Sequence, residues 1–139
     1  PKPSKATISN AMDVGNPSNF IRIQELFNND LEALKSAFSS YSFSDGETRE
    51  TMQSIYKNSG YVADPHGAVG YLGLKKYGLK ENEFGVFLET AHPVKFLDVV
   101  EETLPVKVEI PAQIQKVINN KKVAIKVTSY QDLKDFLMK

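Results

Sequence analysis

Gly85-Val86-Phe87-Leu88-Glu89-Thr90-Ala91-His92-Pro93 is the stretch on which the fold turns. The apolar run Val86 to Leu88 ends abruptly in a hydroxyl, a small residue, a histidine and a proline. Proline suits the first turn of a helix, where its missing N–H would have had no partner anyway. The spacing therefore predicts a buried strand, a short loop, and a helix from Pro93 carrying Phe96, Leu97, Val99 and Val100 inward. In an open α/β sheet, ligands bind just beyond the carboxyl ends of strands, which is where Thr90 to His92 would lie. The same residues also suit a plain helix cap. The local pattern leaves both readings open.

Working outward, two other loops end the same way, in an N-cap residue followed by proline. Asp64-Pro65 opens a helix in which Gly67, Gly70 and Gly73 recur every third residue. Each interior glycine costs roughly 0.8–1.0 kcal/mol against alanine. Three of them imply close approach to a ligand or backbone, or tight helix packing. Asn16-Pro17 predicts a helix start, with Phe20, Ile23, Phe27, Leu31, Leu34 and Phe38 on one face and an interruption near Asn28-Asn29-Asp30. Ser44-Asp45-Gly46-Glu47 has capping-box spacing and predicts a helix from about Gly46 to Lys57, stopped by Gly60 in a left-handed cap. Residues 40–44, with Tyr41 and Phe43, suit a short buried strand, and Ala6 to Ile8 an extended one.

Beyond Leu104 the texture changes. Val106, Val108 and Ile110 alternate with charged residues between two prolines, as in an edge strand. A short helix is expected within 111–119. Val123, Ile125 and Val127 read as another extended segment. Ser129 to Asp132 repeats the capping-box spacing and opens a terminal helix with Leu133, Phe136 and Leu137 inward.

The 139 residues suffice for a domain with a real core. Lys+Arg and Asp+Glu are both 17, so the balanced charge argues against nucleic-acid and anionic-membrane partners. No apolar run approaches the ~18 residues of a membrane span, and the first residues lack the apolar core of a signal peptide. Cysteine is absent. This excludes disulfides and thiolate chemistry and fits a reducing, cytoplasmic setting. With only His66 and His92 as histidines, a metal centre is not expected. No phosphate-binding glycine loop or serine nucleophile motif occurs.

Three blocks read together resemble the C-terminal part of the threonine synthase family. They are Thr7-Ile8-Ser9-Asn10-Ala11-Met12-Asp13-Val14-Gly15 with Pro17-Ser18-Asn19; Gly60-Tyr61 with Asp64-Pro65-His66-Gly67-Ala68-Val69-Gly70-Tyr71; and Phe87-Leu88 with Thr90-Ala91-His92-Pro93 and Lys95-Phe96. Order and spacing agree over residues 5 to about 104, and the tail beyond 105 resembles the family loosely.

That resemblance implies an α/β fold of the tryptophan-synthase β-like group, with short buried strands flanked by helices in three αβα layers. It implies a pyridoxal 5'-phosphate enzyme, a lyase that converts O-phosphohomoserine and water to threonine and phosphate. Residues 1–104 would belong to the catalytic region and 105–139 to a tail. Thr90 would correspond to the hydroxyl that bonds the pyridine nitrogen, with Asp64 and His66 near the cofactor ring and Asn10 and Asp13 on the substrate side. The family's Schiff-base lysine, in a Ser-Phe-Lys-Asp-like pattern, and its phosphate loop have no match here. The resemblance thus implies a fragment, inactive alone; a first residue other than Met fits a processed product or a piece of something longer. The other reading is a non-catalytic module for ligand or partner binding built on half of this fold. A truncated unit of this kind would expose apolar surface and self-associate.

Overall fold

A computed structural model describes residues 3–11 and 14–139 of the chain. The chain divides into two compact units, Pro1–Glu109 and Ile110–Lys139. Among the described residues the first unit holds five α-helices, and three of them form its core.

Helix α1 (Phe20–Leu26) begins three residues later than the Asn16-Pro17 pair predicts. Pro17 instead closes a turn, its carbonyl accepting from Phe20 N–H at 3.2 Å. The expected interruption follows. Asn28 and Asn29 take φ of 50° and 60°, which asparagine tolerates better than most residues. Asp30 then caps α2 (Leu31–Ala37), accepting from the Glu32 and Ala33 amides. Phe27 and Phe38 meet edge-to-face at 5.7 Å. Nothing on α1 or α2 is fully buried.

Helix α3 (Asp45–Ser59) carries the complete capping box. Ser44 Oγ accepts from the Glu47 amide, and the Glu47 carboxylate accepts from the Ser44 amide at 2.7 Å. Those bonds hold the Glu47 carboxyl below the usual carboxylate range. Gly60 ends the helix at φ 72°, as the sequence requires. Helix α4 (Pro65–Tyr77) starts with Asp64 as cap and packs on α3. His92 caps a 3₁₀ turn, Pro93–Phe96, which runs into α5 (Leu97–Thr103).

The core lies where α3, α4 and α5 meet: Met52, Ala68, Phe96, Val100 and Leu104. Arg49 on α3 clamps the end of α5, donating to Thr103 Oγ1 at 2.6 Å and Glu102 Oε2 at 2.8 Å.

The expected α/β character does not appear in this chain. Among the described residues there are helices and turns but no strand. The runs at 86–88, 40–44, 106–110 and 123–127 are extended without a ladder. A strand exists only through hydrogen bonds to a neighbour, and among the described residues no backbone hydrogen bond joins one of these runs to another. The predicted burial fails at Val86, 82% exposed, and Leu88, 75% exposed, while Phe87 between them is half-buried against Tyr71. In the run after Leu104 the alternation survives without a sheet. Val106 and Val108 turn toward the core, and the Val108 amide donates to Glu101 Oε1.

The second unit holds α6 (Ala112–Gln115) and α7 (Tyr130–Leu137). Ser129 caps α7 as expected, but Asp132 reaches Thr128 rather than the Ser129 amide. Leu133, Phe136 and Leu137, expected inward, are 43–70% exposed because nothing in this unit covers that face.

Candidate functional site

Most of the site candidates lie at two helix starts. At the first, Asp64 is fully buried. Its Oδ1 accepts from the His66 amide at 2.7 Å and lies 3.0 Å from His66 Nδ1. The cap thereby also orients the imidazole, which leans on the Phe96 ring at 4.8 Å. Asp64 and His66 are therefore one structural unit at the N-terminus of α4.

At the second, Thr90 is exposed, at the end of the extended segment. Two residues on, His92 Nδ1 accepts from the Val94 amide at 3.1 Å. The cap role considered for His92 is real. By closing the turn at Pro93 it fixes where the segment bearing Thr90 leaves the helix.

Glu89, beside Thr90, was not singled out by sequence reasoning. Its carboxyl lies directly over Gly67 in the first turn of α4. A Cβ built on Gly67 would lie far inside van der Waals contact distance of all three carboxyl atoms. Of the three periodic glycines, only Gly67 answers a close approach. At Gly70 and Gly73 an added Cβ would make ordinary contacts at 3.7 and 3.9 Å. Burial, and then the neighbouring Asp64 carboxyl with its charge, push the Glu89 carboxyl up to about 7. Burial also raises the Tyr61 phenol nearby, and the Glu89 and Asp64 charges add to it. The only hint in the sequence was the glycine at 67, which marked a close approach but not by what.

Asn10 lies in a pocket that shares the Phe96 ring with His66. It lines this open pocket of about 480 Å³ with Thr7, Asp45, Lys95, Phe96 and Asp98. Its Oδ1 is buried without a hydrogen-bond donor, an acceptor left for an incoming N–H or O–H. Asp13, its expected companion, lies outside the described residues. Thr90, Asp64 and His66 do not line this pocket. Among the described residues no group of three His, Asp or Glu side chains could hold a metal ion, and no helix is long and apolar enough to cross a membrane.

Comparison with known proteins gives these features a family. Residues 67–137 match the family model "Threonine synthase, C-terminal". Threonine synthase from Buchnera aphidicola subsp. Acyrthosiphon pisum is 42% identical over 142 residues, 99% of this chain and 32% of that protein. The crystal structure of threonine synthase from Escherichia coli superposes with a TM-score of 0.83 at 34% identity, over 99% of this chain and 32% of that one. A PLP-bound threonine synthase from Brucella melitensis shares the fold, with a TM-score of 0.66 at 24% identity over 98% of this chain and 34% of its own. The chain thus spans about a third of the length of the relatives it matches. By the family model and by superposition on the Escherichia coli structure, it belongs to the threonine synthase family, as the C-terminal part.

Proposed function

We propose that the chain is the C-terminal third of a cytoplasmic threonine synthase and supplies one wall of its pyridoxal-phosphate site, for the conversion of O-phosphohomoserine and water to threonine and phosphate. Residues 1–104 would contribute to the catalytic region and 105–139 form a tail. The observation that carries this reading is the match over 99% of the chain to the Escherichia coli enzyme. Two features of the site fit the cofactor and substrate: an exposed hydroxyl at Thr90 and the donorless Asn10 Oδ1.

In this reading the chain's residues divide the work. Thr90 donates its hydroxyl hydrogen to an unprotonated pyridine nitrogen. A carboxylate there would keep that nitrogen protonated. His92 holds the turn, so Thr90 is presented from a fixed start of helix. His66, tethered to Asp64, forms the wall beside the ring. Asn10 Oδ1 accepts from the substrate, and Asp13 works on the same side. Pyridoxal phosphate, when bound, supplies the electron sink for carbon–hydrogen bond cleavage. The lysine that anchors it and the loop that cradles its phosphate come from the remaining two thirds of the enzyme, so the chain alone is inactive.

The test supplies those two thirds in trans with pyridoxal phosphate and measures phosphate release from O-phosphohomoserine. Release is the expected result. A stable, folded complex without cofactor absorbance would overturn the reading in favour of a non-catalytic module.

A further inference from the structure

Asp64 and Glu89 form a pair that helix capping does not explain. One Asp64 oxygen is used by His66. The other, Oδ2, is buried and meets no donor, and the same is true of Glu89 Oε1. The groups facing the pair are known from both sides. His66 and Tyr61 stand beside Asp64, and Asp64 itself is what Glu89 faces from α4. Among the described residues no lysine or arginine pairs with either carboxyl, and the His66 imidazole meets only Asp64 Oδ1. A buried carboxylate facing a half-buried one, with neither lysine nor arginine between them, repels it and leaves one oxygen of each bare, whereas one proton between them gives both oxygens a partner. The first turn of α4 is a favourable place for the single negative charge that remains.

We propose that Asp64 and Glu89 share one proton, and that this acid–carboxylate pair is a clasp that positions Thr90 by tying the preceding residue to the N-terminal turn of α4. Gly67 is the gap through which the clasp closes. Glu89 is a positioning residue: it acts on the cofactor through Thr90, and this part of the inference rests on the function proposed above. The proton-sharing itself does not.

The clasp holds below the pH at which Glu89 ionises, about 7, and opens above it. An amide in place of either acid supplies a permanent donor, so Glu89→Gln and Asp64→Asn should both keep it closed at all pH. Asn also retains the oxygen needed to cap α4. The experiment uses the full-length protein that carries this chain and compares wild type with both variants from about pH 5.5 to about pH 8.5. The first readout is the thermal midpoint, which needs no activity. Wild type should lose stability as pH rises through the neutral range, and both amide variants should lose less. The second is kcat/KM for phosphate release. Wild type should fall up to tenfold per pH unit on the alkaline side, and Glu89→Gln should move that limb upward. Parallel melting profiles for wild type and both variants would overturn the shared proton. Altered melting profiles with superimposable kinetic profiles would overturn the positioning of Thr90. Wild-type protein that melts as predicted but releases no phosphate at any pH would overturn the proposed function and leave the proton-sharing standing.

Discussion

Gly67→Ala should change the sign of its effect on stability between acid and alkaline pH. Gly67 is helical, with no positive φ to make alanine strained, so the substitution itself favours α4 by about 0.8–1.0 kcal/mol. Against this, the new methyl occupies the position of the Glu89 carboxyl, which is the far end of a flexible side chain and swings away. Below neutral pH that loses the hydrogen bond to Asp64 and leaves a buried oxygen unpaired, at roughly 1–3 kcal/mol. The net result in acid is a loss of about 0–2 kcal/mol. The linkage runs the other way above neutral pH. Glu89 has a folded-state pKa raised from 4.5 to about 7. Its stabilising contribution is therefore complete below the unfolded value and is lost as pH climbs through the folded one. At 1.36 kcal/mol per unit, and discounted heavily because the group is only half-buried, about 1–2 kcal/mol disappears over that window. Past it, wild type holds two repelling carboxylates that the alanine variant has separated. Gly67→Ala should then be neutral or stabilising by up to about 1 kcal/mol. Urea denaturation followed by circular dichroism at about pH 5.5 and about pH 8.5 measures both arms. An effect of one sign and size at both pH values would refute the close approach of Glu89 as the reason for glycine at 67.

Three further outcomes are expected. Thr90→Ala in the full-length enzyme should weaken pyridoxal-phosphate affinity about two- to tenfold, the worth of one neutral hydrogen bond, while Thr90→Ser retains it. Cofactor titration by absorbance checks this, and wild-type affinity in the alanine variant would remove Thr90 from the site. Met52→Ala empties a fully buried position between α3, α4 and α5 and should cost about 2–5 kcal/mol in denaturant unfolding. A cost within error of zero would show that this helix junction is not the core. The isolated chain should self-associate through Phe84, Val86 and Leu88, which are 98%, 82% and 75% exposed. Light scattering of a clean monomer at high concentration would count against that.

The helix starts were legible because their information is local. Ser44 and Glu47 sit three residues apart and satisfy each other's amides, and Asp64 precedes a proline whose φ is already helical. Each signal involves side chains within a turn of the backbone they cap, so no knowledge of the rest of the fold is needed. Asn16-Pro17 misled for an instructive reason. The same pair also begins an ordinary turn, and residue 17 was spent on that turn before α1 began at Phe20.

The strands were misread because an alternating or apolar run specifies faces, not partners. Val106 and Val108 kept the faces their alternation assigned and still made no ladder, since the Val108 amide found the Glu101 carboxylate instead. The Lys107 ammonium, and after it that bond, hold the Glu101 carboxyl below its usual range. At residues 86–88 only Phe87 faces inward, against Tyr71 on α4, while Val86 and Leu88 face out. The same limit governs the site. Thr90, Asp64 and His66 were nameable from motifs, because each lies beside its own cap. Glu89 was not, because its meaning comes from Gly67 and Asp64, more than twenty positions away, and only folding α4 against the segment before Thr90 brings a second carboxyl to a buried one. A glycine inside a helix says that something comes close. Here what comes close is a titratable group, so the glycine that looked like a packing residue is what lets the pair form at all.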